Sequence, residues 1–337
     1  MDGTFSVHIR GDGVAARSCA HLLTRAGVAP ALDGTGRGRV PALLLSAQAM
    51  HLLGDIFADK SLFAGLHRIH ARRVAWGPGA AAVIVQHEGV VVAEETLLTR
   101  LPLPDTANIP AAYTVYAGTP LPEGTLRQRF GARAANGAEV TLRPAADAGA
   151  CSIESLDAGW LFLIPTSAGE ARLFAVGGGV AELLGESRLI APEIDRVGAQ
   201  HGPFETAPSI ADPVCGANWL ACGSAAMTVD PICGDGAATA GREAILAAAV
   251  LSAVRRGDAP EPLLVHYGSL LTGAMRRHLA LCLDFYASGG RGAWWKEQCD
   301  LLRQGHEWCT ARLALMPEPR YRLQDFDLVP FETKNPL

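Results

Sequence analysis

Residues 219–236 constrain the fold of this chain more than any other segment. The segment begins with apolar residues typical of a buried strand, and an alanine-rich stretch over residues 237–255 then predicts a helix. Between strand and helix lie Gly223, Ser224, Asp230, Pro231, Gly234 and Gly236. A strand that leads through a glycine turn into a helix brings free backbone N–H groups and the positive end of a helix dipole to one place. This arrangement predicts a site for an anionic ligand.

A second turn of the same kind lies close to the N-terminus. Residues 5–9 predict a strand and residues 14–25 predict a helix, with Gly11, Gly13 and Ala16 at their junction. Gly11 suits a tight turn, Gly13 lets a pyrophosphate approach the backbone, and Ala16 still allows close helix–strand packing. Two such turns in one chain predict one large ligand held at both ends.

Asp33 supports a dinucleotide as that ligand. It ends a predicted second strand, about 20 residues after the first turn, where dinucleotide-binding folds place an acidic residue. A carboxylate there would accept hydrogen bonds from ribose hydroxyls and would disfavour a 2′-phosphate. The pattern therefore favours FAD or NAD over NADP.

The chain is long enough for more than one domain. It has 337 residues, 49% of them hydrophobic, which suffices for a large core. Short strand-like segments broken by turn residues fill residues 66–205, which we predict to be a β-rich substrate domain. We predict a discontinuous dinucleotide-binding domain over residues 1–65 and 206–258, in which residues 41–58 form one helix. Residues 259–337 are predicted to be a helical C-terminal region.

Composition argues against several other classes of protein. A net charge of −5 does not favour binding to nucleic acid or to an anionic membrane. Residues 1–10 lack the pattern of a signal peptide, and no apolar run reaches the roughly 18 residues of a membrane span. The eight cysteines form no CxxC pair, which indicates free thiols and no bound metal. We expect a cytoplasmic protein with no nucleic-acid or membrane partner.

Residues 223–236 resemble the second flavin motif of the class A flavoprotein monooxygenases and flavin-dependent halogenases, roughly Gly-Asp-Ala-Ala, then Asp-Pro, then a glycine turn. Residues 159–165, Gly-Trp-Leu-Phe-Leu-Ile-Pro, resemble the halogenase signature Gly-Trp-x-Trp-x-Ile-Pro, with Phe162 in place of the second tryptophan. The N-terminal turn fits the same superfamily, and the middle of the chain is only loosely similar. Within the superfamily, the chain looks most like the flavoproteins of tryptophylquinone biogenesis, the QhpG- and LodB-like group.

The resemblance implies an α/β fold, with a Rossmann-type FAD-binding domain of the GR2 type, an inserted β-sheet-rich substrate domain and C-terminal helices. It implies FAD as cofactor and NADH or NADPH as reductant. By this resemblance the cofactor-binding residues would be Gly11, Gly13, Ala16 and Asp33 at the AMP half, Gly223 and Ser224 beside the ribityl chain and pyrophosphate, and Asp230, Pro231, Gly234 and Gly236 near the isoalloxazine. Ser224 replaces the family's aspartate, which predicts weaker FAD binding because a carboxylate is the stronger acceptor.

The resemblance also implies hydroxylation of an aromatic substrate through a flavin C4a-hydroperoxide. Trp76, Trp160 and Pro231 are candidate walls of the substrate pocket, and no catalytic residue is identified. A halogenase of this kind would need a lysine between flavin and substrate, but residues 67–76 contain no lysine. They contain Arg68, Arg72 and Arg73, which are more typical of a solvated face. Arginine stays protonated and cannot replace that lysine, so hydroxylation is favoured.

The substrate and two alternatives stay open. The subgroup resemblance implies either an aromatic small molecule or a tryptophan side chain of a partner protein as substrate. One alternative is a flavin-dependent halogenase that uses the same cofactor. The other is a non-catalytic binding protein derived from a flavoenzyme, which Ser224 would explain.

Overall fold

The computed structural model describes residues 5–34, 36–103, 111–234 and 236–331. The first elements in chain order are β1 (Ser6–Arg10), α1 (Val14–Arg25), β2 (Ala29–Asp33), β3 (Leu43–Ser46), α2 (Ala47–Phe57), β4 (His67–Ala75), β5 (Val83–Val92), α3 (Glu94–Arg100), β6 (Tyr113–Tyr116), β7 (Leu126–Arg129), β8 (Ala134–Leu142), β9 (Ala150–Leu156) and β10 (Gly159–Pro165). They are followed by β11 (Glu170–Val176), α4 (Val180–Glu186), β12 (Ile194–Glu205), β13 (Ser209–Asp212), β14 (Cys215–Gly216), β15 (Trp219–Ala221), β16 (Met227–Thr228), α5 (Gly236–Arg255), α6 (Pro260–Gly289), α7 (Ala293–Ala314), β17 (Tyr321–Gln324) and β18 (Asp327–Pro330). Asp235 of the distal turn and the end of the predicted C-terminal region lie outside the described residues.

A five-stranded sheet carries both glycine turns. Its strand order is β14-β15-β6-β1-β2, and β15, β6, β1 and β2 run parallel. The parallel strands are buried because α1 and α5 pack together at the sheet, so Ile9, Val115 and Leu220 have no exposed surface. The strand, turn and helix predicted at each glycine turn are confirmed, as is the Rossmann-type α/β architecture.

The second, eight-stranded sheet has the order β12-β8-β11-β10-β9-β4-β5-β3. Its central strand β10 is buried along its whole length, and alternate residues face opposite sides. Trp160 and Phe162 belong to the main core, whereas Leu161 and Leu163 pack in a separate core that includes residues of α4. The sheet therefore presents one aromatic face to the five-stranded half of the molecule.

Two strands pair in a different sheet from the one that the predicted domain boundaries assign to them. β6 lies within residues 66–205 of the sequence but pairs in parallel with β1 in the five-stranded sheet. β3 lies within residues 1–65 but pairs with β5 in the eight-stranded sheet. The predicted boundaries therefore do not follow the two sheets at these strands, because strand pairing depends on partners that are distant in the chain.

The helix predicted over residues 41–58 is also shorter than expected. Leu43 to Ser46 form β3, whose backbone hydrogen bonds are supplied by β5, and α2 begins only at Ala47. The Ser46 Oγ accepts a hydrogen bond from the Ala49 N–H and so caps the helix. A short apolar run fits a strand or a helix equally well, and here the sheet partner decides.

Long helices complete the fold. α6 packs against α7 and α5, and the predicted helical region ends in a β17–β18 hairpin rather than in further helix. By length and composition α5 could cross a membrane, but 72% of that window is buried inside the protein. This burial is what a core helix shows, and α5 indeed packs on α1 and α2.

Candidate functional site

One cavity of about 410 Å³ joins the two glycine turns, within the range of about 300–1,000 Å³ that is usual for ligand pockets. The predicted cofactor residues that line it are Gly13, Gly223, Ser224, Asp230, Pro231, Gly234 and Gly236. The N-terminal end of α1 borders the cavity through Val14 and Ala15, and that of α5 through Gly236 and Ala237. Both helix starts therefore present a positive partial charge to the same space.

Two glycines make this convergence sterically feasible. Gly11 has a φ of +133°, and a Cβ there would lie 2.9 Å from the Ala117 carbonyl carbon. Gly223 has a φ of +60°, and its Cβ would lie 2.6 Å from the Ala15 Cβ at the start of α1. A side chain at either position would strain the backbone and separate packed elements. Gly11 supports the turn but does not line the cavity itself.

Asp33 and Ala16 occupy supporting positions. Ala16 is fully buried, where it allows the packing that its small size predicted. The Asp33 side chain is 69% exposed, and its Oδ2 lies 2.6 Å from His8 Nε2. Neither residue lines the cavity. The contact of Asp33 with an adenosine ribose stays a prediction.

Arg37 and Glu94 form the other side of the first turn, and neither was among the predicted site residues. The Arg37 guanidinium is ion-paired with the buried Glu94, which also accepts a hydrogen bond from the Val40 N–H at 2.9 Å. A Cβ on Gly13 would meet Arg37 Nη2 at 2.9 Å. A fixed cation thus lies at the turn where an anionic pyrophosphate was predicted. The nearest sequence signal was the short arginine-containing loop after β2.

Residues distant in the chain hold the second turn. Arg127 donates to the carbonyl oxygens of Ser224 at 3.0 Å and Ala225 at 2.7 Å. The Tyr267 hydroxyl donates to the Ala221 carbonyl at 2.5 Å. The Ser224 side chain itself is exposed at the edge of this turn. The backbone around Ser224 is therefore held from β7 and α6 rather than by the Ser224 side chain.

Asp230 is the centre of a buried polar network. Its Oδ2 accepts hydrogen bonds from Arg133 Nε at 3.1 Å and from the Tyr286 hydroxyl at 2.9 Å. Its Oδ1 accepts from the Ile232 N–H at 3.0 Å, and its own N–H donates to His278 Nε2 at 2.8 Å. The carboxylate is thus already occupied and orients the turn that begins at Pro231. Its predicted contact with the cofactor stays a prediction.

The aromatic wall of the cavity comes from β10. Trp160, Phe162 and Ile164 line it, as the prediction for Trp160 required. Trp76, also predicted as a wall, lines neither of the two cavities beside the distal turn. Its ring packs edge-to-face on Trp160 with a centroid distance of 6.4 Å, and its Nε1 donates to the Phe285 carbonyl at 2.9 Å. Trp76, which directly follows β4, therefore supports the wall through its contact with Trp160.

A second cavity of about 880 Å³ adjoins the first, and the two share lining residues that include Gly234 and Glu243. Arg72 lines it, with Cζ 5.7 Å from the Phe162 ring centroid and Nη2 3.6 Å from the place of a Cβ on Gly234. The expectation that all three arginines of β4 form a solvated face is wrong for Arg72. Because Arg72 is on the strand face that points to the core, its guanidinium lies beside the distal turn.

Two cysteines and a histidine meet on the far side of the same turn. Cys233 Sγ lies 3.9 Å from Cys282 Sγ, which lies 3.4 Å from His278 Nε2. A hydrogen bond from Cys282 lowers the pKa of Cys233 to about 6 against the opposing effect of burial. Three ligand atoms within 4.8 Å could hold a metal ion, but His278 Nε2 already accepts from the Asp230 N–H. The absence of a bound metal stays a prediction.

No protein-family model and no curated protein matches this sequence. Solved structures do match, among them the peptidyl tryptophan dihydroxylase QhpG, essential for tryptophylquinone cofactor biogenesis, with a TM-score of 0.71 and 19% identity over 87% of this chain and 78% of that one. The flavin-dependent halogenase CmlS matches with a TM-score of 0.74 and 16% identity over 96% and 75% of the two chains. Aklavinone-11 hydroxylase, solved with FAD and aklavinone, matches with a TM-score of 0.60 and 17% identity over 86% and 70%. The chain therefore has the fold of the flavin-dependent hydroxylases and halogenases.

Proposed function

We propose that this protein, which has the fold of the flavin-dependent monooxygenases and halogenases, is an FAD-dependent monooxygenase that hydroxylates an aromatic substrate. The observation that carries the proposal is the single cavity that runs from Gly13 and Arg37 to Pro231 and Gly234, with Trp160 in its wall. Two turns that are far apart in the sequence line this one cavity, which a single large ligand that contacts both turns would explain. The substrate, the reductant and the partner are parts of the same proposal.

The described residues fit FAD along the length of the cavity. The pyrophosphate fits between the start of α1 and Arg37, where backbone N–H groups and a guanidinium offset its charge. The isoalloxazine fits near Pro231 and Gly234, at the start of α5, whose partial positive charge would stabilise a reduced anionic flavin. When bound and reduced by NADH or NADPH, FAD supplies the oxygen activation.

In this proposal the protein positions the cofactor and excludes water from the reaction. Trp160, Phe162 and Ile164 exclude water from one side of the cavity. Asp230, held by Arg133 and Tyr286, fixes the turn that presents Pro231. None of these residues needs to act as a nucleophile, because the cofactor carries the reactive oxygen.

The adjoining cavity is the proposed entry for the substrate. It lies between β5 and α6, and Leu281 at its edge is 46% exposed. Val83, Ile84 and Val85 form an exposed apolar segment on the same β5 strand. The β5 residues that line the cavity, Gln86, His87 and Glu88, are polar, but an exposed apolar segment on the same strand suits a tryptophan side chain on a partner protein as well as a free aromatic compound. The similarity to QhpG, which acts on peptidyl tryptophan, supports the first of these substrates.

Halogenation is the second candidate because CmlS and two other flavin-dependent halogenating enzymes share the fold. Arg72 is the cation that lies beside Gly234 and Phe162, and it is not a lysine. An arginine cannot carry the reactive nitrogen chemistry of a lysine, since it stays protonated. Incubation with FAD, a reductant and either chloride or bromide separates the two functions. A halide-dependent increase in product mass would favour halogenation, and an increase of one oxygen in both salts would favour hydroxylation.

The proposed function is tested by an absorption spectrum and a reductant assay. We expect purified protein to take up FAD and to oxidise NADH or NADPH faster when a tryptophan-containing peptide is added. The matched control is the same peptide with alanine in place of tryptophan. Colourless protein that fails to take up added FAD would exclude a flavoenzyme. Uptake of FAD without oxidation of either reductant would indicate a non-catalytic binding protein.

A further inference from the structure

Glu243 is a buried carboxyl for which the described residues provide no hydrogen-bond partner. It lies on α5 about two turns after the helix begins, and it is 2% exposed. Neither of its side-chain oxygens has a hydrogen-bond partner among the described residues. It lines the main cavity together with Gly13, Gly223 and Ser224. The side chain is thus directed into the space between the two glycine turns.

A buried carboxyl without a hydrogen-bond partner lowers the stability of the folded protein. Burial without a partner disfavours the charged form strongly, and native proteins rarely retain such groups unless a ligand, water or reaction uses them. Burial raises the pKa of Glu243 well above its ordinary value, against smaller opposing effects of the Gly223 N–H and the Arg127 guanidinium. The protein without ligand therefore carries a penalty that a bound donor would remove.

Two donors near Glu243, Arg127 and Tyr267, form hydrogen bonds to other groups. Arg127 donates to the carbonyl oxygens of the second turn, from Ser224 to Ala226. The Tyr267 hydroxyl donates to the Ala221 carbonyl. Cys19 and Cys222, the remaining titratable groups nearby, are fully buried thiols whose pKa values burial raises. Apart from the Gly223 N–H, whose effect on the Glu243 carboxyl is smaller than that of burial, a donor for Glu243 must therefore come from the cavity.

We propose that Glu243 is a cofactor-positioning residue that accepts hydrogen bonds from the hydroxyl groups of the FAD ribityl chain. This inference rests on the proposed function, since it takes FAD as the ligand. FAD offers an anionic pyrophosphate, which a carboxylate would repel, a flat ring system, which fits the apolar wall, and hydroxyl donors between them. Glu243 lines the cavity together with Gly223 and Ser224, the residues predicted to lie beside the ribityl chain, and the Gly223 N–H is close enough to affect its pKa.

Two substitutions of Glu243 test this role through cofactor binding and protein stability. For Glu243→Gln we expect FAD to bind about tenfold more weakly, because the amide keeps only one of the two acceptor oxygens of the carboxyl group. For Glu243→Leu, which removes the acceptor, we expect a loss of about a hundredfold. In the absence of FAD, both variants should be at least as resistant to urea at pH 8 as the original chain. The affinities are measured by titrating flavin-free protein with FAD and following the flavin fluorescence.

Glu94→Gln is the matched control, because Glu94 is an equally buried carboxyl of the same cavity, at 2% exposure, but is paired with Arg37. Its substitution should lower the urea midpoint of the flavin-free protein, whereas Glu243→Gln should not. If Glu243 instead served only to hold the second turn, both of its substitutions would lower the midpoint, which would overturn the proposal. Unchanged FAD affinity in both Glu243 variants would overturn it as well. Failure of the original chain to bind FAD would instead refute the proposed function.

Discussion

The two glycine turns of the cavity, residues 11–16 and residues 223–236, are held in different ways. In the first, the Gly11 N–H donates to the Asp33 carbonyl at 2.7 Å within the β–α–β unit, and the ion pair of Arg37 with Glu94 lies beside the turn. The second depends on contacts from other parts of the chain, through Arg127, Arg133, Tyr267, His278 and Tyr286. Substitutions in other parts of the chain should therefore change the conformation of the second turn more than that of the first.

This difference assigns separate roles to the two ends of the proposed cofactor. The AMP end depends on backbone geometry that a short stretch of sequence encodes. The flavin end depends on α6 and on the eight-stranded sheet, which also provide the aromatic wall and the proposed substrate entry. Substrate binding could therefore act on the flavin environment through the same helix that orients Asp230.

The largest effect is expected from Arg133→Met, which leaves Asp230 as an unpaired charge. Both side chains are essentially inaccessible, at 0% and 1% exposure, and loss of one partner of such a pair costs about 3–5 kcal/mol. Urea unfolding of the variant and of the original chain gives the difference in the free energy of unfolding. Arg129→Ala is the control, because its pair with Glu205 is largely exposed and should contribute less than about 1 kcal/mol. Equal losses in the two variants would mean that the network does not hold the second turn.

Gly223→Ala should lower the free energy of unfolding by about 2–4 kcal/mol and weaken FAD binding. About 1–2 kcal/mol comes from the positive φ, and the rest from the contact with Ala15 on α1. Gly124→Ala is the control, because Gly124 has a φ of +84° and open space around the place of its Cβ. Its loss of stability measures the cost of the positive φ alone. Adding Ala15→Gly should recover part of the loss in the Gly223 variant. If the double variant is simply the sum of the single ones, the two turns do not pack as described.

The pH dependence of stability should change with Glu243. Because the folded pKa of this group is raised above its ordinary value of 4.5, its contribution to stability is complete below that pH and is lost as pH rises through the folded pKa. One such proton changes stability by at most about 1.4 kcal/mol per pH unit. Thermal unfolding of flavin-free protein between about pH 5.5 and 8.5 should therefore show a steeper decline for the original chain than for Glu243→Gln. Parallel curves would show that Glu243 keeps its charge without a penalty.

The smallest effect is expected from Ser224→Asp, which should tighten FAD binding about three- to tenfold by adding a charged acceptor beside the ribityl chain. The gain should be greater when Glu243→Gln is also present, because the two acceptors would then no longer repel each other. Fluorescence titration of the single and double variants with FAD measures both gains. No change in either background would remove Ser224 from the cofactor contacts.

The sequence predicted the parts of the site that depend on local geometry. The strand, turn and helix at Gly11–Ala16 and at Gly223–Gly236 are as predicted, because apolar periodicity and glycine placement act over a few neighbouring residues. Trp160 lines the cavity, and its predicted contact with a substrate stays a prediction. Trp76 does not line it, because its ring packs against Trp160 and Trp295, which belong to distant segments of the chain.

The sequence by itself determined that two glycine turns exist and that each has a strand before it and a helix after it. Only the tertiary structure decided that they share one cavity, that β3 and β6 cross between the sheets, and that Arg37, Arg72 and Glu243 face the ligand space. The physical reason is the distance along the chain over which each effect acts. Backbone propensity and turn chemistry are properties of adjacent residues, whereas the burial and charge of a side chain depend on which distant elements pack around it.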